Sequence, residues 1–187
     1  MKTLILITGL LVQGIAIAQT ADEPLANLNY SYAELRFVDV DSNSGDGIRF
    51  NGSFDLGNSW LIVGGVTSLD FGNNVDTTTW EIGAGYVWHY SKDFDLLSTL
   101  RYVNSKIETP GGTTDDSGIA FSAGARGHIT PEFEVRGSVN HINFDNSDTY
   151  LELAGDYHFN SEFSAGVSLE FAGDVDVITL GARWFFR

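Results

Sequence analysis

The chain has 187 residues, and its 25 acidic residues against 10 basic ones give a formal net charge of −15. A balance this acidic argues against nucleic acid as a partner, because the phosphate backbone would repel it. The sequence contains no cysteine, which excludes a disulfide framework and a thiolate metal site. With 21 Gly, only 3 Pro, and 4 Trp, 7 Tyr and 13 Phe, the composition indicates a β-sheet protein in which glycine supplies tight packing and turns.

Residues 1–18 are predicted to be a secretory signal peptide. They have a positive start, then an apolar run, then the small-residue cleavage site Ala16-Ile17-Ala18. After cleavage we expect a polar N-terminal leader over 19–27 and a single domain over 28–187. The protein is therefore expected to be exported.

The segment 77–90, TTTWEIGAGYVWHY, shows the pattern that the rest of the chain repeats. Alternate residues form one apolar, aromatic-tipped face and one small or polar face, as the two sides of a β-strand do. The apolar face carries Trp80, Ile82, Ala84, Tyr86, Trp88 and Tyr90, and the other face carries Glu81, Gly83, Gly85, Val87 and His89. A transmembrane β-strand needs about 9–11 such residues, so this segment is long enough to cross a bilayer.

Ten segments alternate in this way, which predicts an all-β fold: a transmembrane antiparallel up-and-down β-barrel of ten strands, with eight as the alternative. The segments are 28–40, 47–56, 59–71, 77–90, 93–107, 117–129, 132–144, 148–159, 162–172 and 176–186. Short turns are expected to alternate with longer acidic loops, the longest at 108–116. Short periplasmic turns opposite longer extracellular loops are typical of outer-membrane barrels.

Alternation alone does not say which face is outside, because a soluble lipocalin-like barrel would put its apolar face inward. The aromatic residues favour a membrane, since they fall in two groups near the strand ends, as in girdles at two interfaces. One group comprises Trp60, Trp88, Tyr90, Phe94, Phe133, Phe159, Phe163, Trp184 and Phe186, and the other comprises Trp80, Tyr102 and Phe171.

The opposite face then lines the lumen and carries charges of both signs. By parity the lumen charge network comprises Glu34, Arg36, Arg49, Glu81, Arg101, Arg126, Glu134, Arg136, Glu152, Asp156, Glu170 and Arg183. Confined charges of opposite sign are expected to pair and to plug the lumen. The alternative is a narrow passive channel for small polar solutes with an arginine-rich constriction.

His89, His128 and His158 occupy one repeated position, five residues before an aromatic residue. This ring of histidines could bind a metal or sense pH. The favoured interpretation is instead a polar inward residue near the periplasmic rim, with no metal site and no cofactor.

The C-terminal sequence TLGARWFF fits the polar-x-Gly-x-x-aromatic-x-aromatic insertion signal of outer-membrane proteins through Gly181, Trp184 and Phe186. With the signal peptide and the alternating strands, it resembles the small outer-membrane β-barrel proteins of Gram-negative bacteria. The motif Tyr30-x-Tyr32-x-Glu34 is similar to the Xanthomonas-type barrels proposed to be signals that plant immunity recognises. The resemblance implies an outer-membrane barrel inserted with periplasmic chaperones and the barrel assembly machinery, and it assigns no chemistry.

The predicted extracellular segments are strongly acidic. They contain Asp39, Asp41, Asp46, Asp70, Asp76, Glu108, Asp115, Asp116, Asp145, Asp148, Asp174 and Asp176, with Lys106 as their only basic residue. Beside anionic lipopolysaccharide, these carboxylates would either share Ca²⁺ or Mg²⁺ with the lipid or form a solvated rim. We expect a structural or surface-interaction role in envelope integrity, adhesion or host contact, and no catalytic residue. An enzyme would need His141, which lacks a serine two residues further along.

Overall fold

The computed structural model describes residues 28–41, 45–144, 147–173 and 175–186. In these ranges the chain forms ten antiparallel strands, each paired with the next, and β1 pairs with β10 to close a barrel. The strands are β1 (Tyr32–Val40), β2 (Gly45–Gly57), β3 (Trp60–Asp70), β4 (Asp76–His89), β5 (Phe94–Thr109), β6 (Gly112–Thr130), β7 (Phe133–Asn143), β8 (Ser147–His158), β9 (Phe163–Ala172) and β10 (Val175–Phe185). The predicted ten-stranded fold is confirmed.

Over the same ranges, no helix is long and apolar enough to cross a membrane. The expected signal peptide and polar leader, together with Asp145 and Asp174, lie outside the described residues.

The barrel has two ends, here called the terminal end, where β1 begins and β10 stops, and the loop end opposite. The expected long loop over 108–116 is wrong, because β5 and β6 continue their ladder to a tight turn at 110–111. Lys106 lies directly opposite Asp115 in this extension, and Thr113 and Thr114 favour strand conformation. The asymmetry between the two ends therefore comes from protruding strands more than from long loops.

The apolar face of the barrel points outward. Ile82 is 55% exposed while Val87, on the other face of the same strand, is 2% exposed. Among the described residues, 17 buried side chains are polar or charged and 9 are hydrophobic. A water-soluble barrel would show the reverse, so this distribution suits a lipid-facing exterior.

The two aromatic groups form girdles on this exterior. Near the terminal end the ring of Trp60 packs edge-on against that of Tyr86 at 5.1 Å, and towards the loop end Trp80 lies 5.4 Å from Tyr102. Trp80 and Trp88 are eight residues apart on β4, which is about 27 Å along a strand. At a tilt of about 40° this separates the girdles by about 20 Å, close to the height of an outer-membrane apolar band.

The first strand is shorter than expected. The sequence predicts a strand over 28–40, but the ladder starts at Tyr32. Residues 28–31, here called the mouth segment, cross the terminal end instead, and the Ser31 hydroxyl accepts a hydrogen bond from the backbone N–H of Asp55 at 3.1 Å. Tyr30 is thereby buried against Leu61 and Val87 inside the barrel.

Candidate functional site: the lumen

All twelve residues of the expected charge network lie on the inner face, and each forms an ion pair with another member. Six of them form one continuous cluster, here called the plug layer: Glu34, Arg36, Arg126, Glu134, Asp156 and Arg183. Their side chains are at most 4% exposed. Because these ion pairs are shielded from water, removing one partner would leave an uncompensated buried charge.

Arg183 is the centre of the plug layer. Its guanidinium lies 2.8 Å from Glu34 and 3.0 Å from Glu134. Arg126 binds the same Glu134 in a bidentate fork, with both N···O distances 2.8 Å. Arg36 completes the layer, since its Nη2 donates to Glu34 at 2.7 Å and to Asp156 at 3.0 Å. Three positive and three negative side chains give the layer no net formal charge.

Two small glycine sites admit these long side chains. A Cβ on Gly181 would lie 2.6 Å from Cγ of Arg36, and one on Gly166 would lie 2.4 Å from Oδ1 of Asp156. Glycine is required at both because a Cβ would meet a backbone oxygen of the neighbouring strand, at 2.1 Å for Gly181 and 2.2 Å for Gly166, as well as a side chain of the plug layer.

Three further ion pairs lie above the plug layer towards the loop end. Arg101 contacts Glu81 at 2.8 Å and Arg136 contacts Glu152 at 3.1 Å. The third pair joins Arg49 to Glu170. These side chains are between 9% and 24% exposed, so water reaches this level of the lumen.

Five pairs of network residues lie directly opposite each other on neighbouring strands, and four of them carry like charges; the exception is Glu34 opposite Arg183. The like-charged pairs are Arg36 and Arg49 on β1 and β2, Arg126 and Arg136 on β6 and β7, Glu134 and Asp156 on β7 and β8, and Glu152 and Glu170 on β8 and β9. Such pairs are unfavourable on their own. Some of these charges are neutralised from a strand further round the barrel, as Arg36 on β1 does for Asp156 on β8. Others are neutralised from the adjacent strand, as Glu134 on β7 does for Arg126 on β6 and Glu152 on β8 does for Arg136 on β7.

The mouth segment closes the lumen below the plug layer. The Tyr30 hydroxyl donates to Oδ2 of Asp95 at 2.9 Å, and the Arg126 guanidinium lies 4.8 Å from the centre of the Tyr30 ring. Arg126 also donates to the backbone carbonyl of Asn29 at 3.0 Å. Sequence reasoning missed this closure, because alternation runs unbroken from Leu28 into β1.

Two cavities remain inside the lumen. One of about 140 Å³ lies at the level of Glu34, Arg101 and Arg136, and one of about 300 Å³ lies towards the loop end and is lined by Arg49 and Tyr150 among others. A third cavity, of about 1390 Å³, opens at the terminal end; we call it the mouth cavity. Tyr30 lines both the mouth cavity and the cavity of about 140 Å³. Its side chain therefore lies on the path that would connect these two cavities.

The four histidines separate into three environments. His89 Nδ1 lies 3.0 Å from Asp95, whereas the rings of His128 and His158 are 5.2 Å apart and share Glu134. The repeated position thus brings two of its three histidines together. His141 lies on the outer surface, where its Nδ1 pairs with the Thr149 hydroxyl at 2.8 Å.

The residues of the C-terminal motif take three different positions. Gly181 faces the lumen beside Arg36, Trp184 is exposed on the outer surface, and Phe186 stacks on Phe54 with ring centres 6.4 Å apart. A role for this motif in insertion stays a prediction.

The loop end carries a line of carboxylates on the outer face of β1 to β5. Each lies directly opposite the next, in the order Asp39, Asp46, Asp70, Asp76 and Glu108. All five are exposed, and Lys106 pairs with Glu108 at one end. We call this line the acidic row; its members repel one another because no basic side chain lies between them in the register.

Comparison with known families decides what kind of barrel this is. The model of the outer membrane protein beta-barrel domain family matches residues 3–171. The chain belongs to the outer membrane protein beta-barrel domain family. Its localisation is therefore the outer membrane of a Gram-negative bacterium, and the terminal end of this outer-membrane barrel is the periplasmic one. The narrower likeness to Xanthomonas-type barrels stays a prediction.

Solved structures of two porins have a fold similar to that of this chain. The NanC porin superposes with a TM-score of 0.57 at 11% identity, covering 82% of this chain and 100% of its own. The KdgM porin gives 0.54 at 11% identity, with 83% and 99% covered. Ail, the attachment invasion locus protein of Yersinia pestis, gives 0.45 at 16% identity, with 84% and 98% covered. At such identities the likeness to NanC and KdgM shows the fold alone. Among curated proteins, none matches this sequence.

Proposed function

We propose that this outer-membrane barrel is closed to solutes and that its role is structural or surface-interacting. The observation that carries the proposal is the plug layer, whose six charges are buried and mutually neutralised. Passing a solute would require these pairs to separate in a medium of low dielectric constant, where each unpaired charge is costly. The mouth segment adds a second barrier beneath the layer.

The alternative is a narrow passive channel. It is favoured by the two lumen cavities of about 140 and 300 Å³, and both NanC and KdgM are named porins. Those cavities share Arg101 and Glu152 as lining residues, so a channel would need only the plug layer and Tyr30 to move aside.

Single-channel conductance of the refolded mature protein in a planar bilayer separates the two functions. We expect the wild type to be silent and Arg126→Ala to give openings, because Arg126 holds both Glu134 and the Asn29 carbonyl. Arg49→Ala is the matched control, since Arg49 lies on the loop side of the plug layer and should leave the protein silent. Steady ohmic openings in the wild type would show that the lumen is a pore.

For the surface role, we propose that the acidic row shares Mg²⁺ or Ca²⁺ with the phosphates of lipopolysaccharide. Directly opposite carboxylates have Cβ atoms about 4.5–5.5 Å apart, a spacing that lets oxygen-preferring cations bridge them. The row lies above the loop-side girdle, on the face turned towards the lipid, so both partners of the bridge would be anionic.

Binding of lipopolysaccharide micelles with and without Mg²⁺ tests this bridge. We expect Mg²⁺-dependent binding by the wild type and loss of that dependence in Asp46→Asn/Asp70→Asn. The control Glu132→Gln/Glu162→Gln makes the same charge change at the periplasmic end and should behave as the wild type. Equal Mg²⁺ dependence in all three proteins would exclude the row as the cation site.

A further inference from the structure

His128 and His158 meet Glu134, a member of the plug layer, where that layer borders the periplasmic mouth. Each offers one ligand atom, and the three atoms all lie within 4.8 Å of one another. His128 on β6 is directly opposite Glu134 on β7, and His158 reaches the same carboxylate from the end of β8. A register shift between His128 and Thr130 interrupts the ladder beside the cluster, and such irregularities re-aim side chains.

We propose that these three residues bind a transition-metal ion of the Zn²⁺ or Cu²⁺ type. Two imidazole nitrogens and one carboxylate oxygen form a ligand set that such ions prefer, and three protein ligands leave a fourth position open. Both histidines line the mouth cavity of about 1390 Å³, so that fourth position faces the periplasm. Ca²⁺ and Mg²⁺ are excluded because they prefer oxygen ligands alone.

The burial of His128 and its unpartnered ring nitrogen support this site independently of the distances between the ligand atoms. The residue is only 4% exposed, and its Nδ1 is buried without a hydrogen-bond partner among the described residues. A buried polar atom without a partner is costly and usually has a reason. An ion held with Glu134 and His158 and bound through Nδ1 would give this atom the partner that it lacks.

One of the hydrogen bonds that Glu134 accepts can give way to a metal. Oε1 of Glu134 accepts from Arg126 and Arg183, and Oε2 accepts from Arg126 and from His158 Nε2 at 3.1 Å. A metal would replace the proton between Glu134 and His158 and leave both arginines bound. Tetrahedral zinc holds its ligand atoms about 3.3 Å apart, so only His128 has to approach, by at most about 1.5 Å from the observed 4.8 Å limit.

The surroundings favour a cation despite the two arginines. Asp55, Glu132 and Glu162 line the mouth cavity, and the described residues lining it include no lysine or arginine. The resulting negative potential raises the local cation concentration. Phe185 stacks on the His158 ring at 5.3 Å and 21°, which keeps its Nε2 directed at Glu134.

Metal titration of the untagged mature protein, refolded in detergent, tests the site. Isothermal titration with Zn²⁺, and visible absorption with Co²⁺ as a spectroscopic probe, should each show one equivalent bound. His128→Gln and His158→Gln should each weaken binding at least about tenfold, because each removes one of three ligands. His89→Gln and His141→Gln remove the other two histidines and should bind as the wild type does.

Folding is checked separately by the heat-modifiable mobility of the barrel in electrophoresis, which each variant should retain. Zn²⁺ should also raise the unfolding midpoint of the wild type and His141→Gln but not that of His158→Gln, because an ion stabilises only the state that binds it. The proposal would be overturned if each of the single variants His128→Gln and His158→Gln bound Zn²⁺ as the wild type does. It would also be overturned if the wild type bound no Zn²⁺. None of these results depends on whether the lumen conducts.

Discussion

Replacing Arg183 by methionine tests the energetics of the closed lumen most directly. The guanidinium contacts Glu34 at 2.8 Å, Glu134 at 3.0 Å and Asp156 at 3.6 Å, and the side chain is 0% exposed. Methionine keeps most of the volume but leaves three carboxylates with the two other arginines of the plug layer. Removing one partner of a buried pair costs about 3–5 kcal/mol. Because each carboxylate keeps one arginine, we expect the lower value, a loss of about 3 kcal/mol.

Urea titration of the folded barrel in lipid vesicles, followed by tryptophan fluorescence, measures this loss. Arg49→Met is the matched control, because Arg49 has Glu170 as its ion-pair partner and is 21% exposed. We expect a smaller loss there than at Arg183, because water reaches this level of the lumen and screens the carboxylate that is left behind. The double variant Arg183→Met/Glu34→Gln restores charge balance and should recover about half of the loss. The reasoning is refuted if Arg183→Met is no less stable than Arg49→Met, or if the double variant recovers nothing.

Three further changes test other parts of the barrel. Ile82→Arg, at the middle of the lipid face, should destabilise by about 2–4 kcal/mol in the same titration, whereas Tyr90→Arg at the interface should cost at most about 1 kcal/mol; equal losses would contradict the assigned membrane position. Gly181→Ala should lower the folded yield after dilution from urea, because its Cβ would lie 2.1 Å from a backbone oxygen of β1, and a normal yield would show that the strands can part there. Tyr30→Phe should cost about 1–3 kcal/mol by leaving Oδ2 of Asp95 without its donor, and an unchanged midpoint would mean that water replaces the hydroxyl.

Alternation predicts the fold well because a strand has a period of two, so the side on which each residue lies follows from parity once the strands are found. The stretch 77–90 is sufficient to show a strand that spans a membrane, and the outward position of Trp80 and Ile82 confirms the choice of faces. Ion-pair partners do not follow from parity. Arg36 pairs with Asp156, 120 residues away, and only the order and tilt of the strands bring these two side chains together.

The strand ends were predicted less well, for identifiable reasons. At 28–31 the alternation continues, but the chain leaves the ladder because its hydrogen bonds run to Asp55, Asp95 and Arg126 inside the mouth. At 108–116 polar residues and Pro110 resemble a loop, yet Thr113 and Thr114 favour strand conformation and Lys106 lies opposite Asp115, so the sheet continues to the turn at 110–111. In both places a tertiary contact outweighs the local sequence pattern.

The ion pairs in the lumen have a consequence for assembly. The pairs Arg126–Glu134 and Arg136–Glu152 join neighbouring strands and can form within a hairpin. The pairs Arg36–Asp156 and Arg49–Glu170 join strands that come together only when β1 meets β10. Part of the electrostatic energy is therefore released late, at the closing step, and that part favours one circular order of strands over partial or misregistered sheets. The charges in the lumen would then help to select the correct strand order during insertion, in addition to filling the finished barrel.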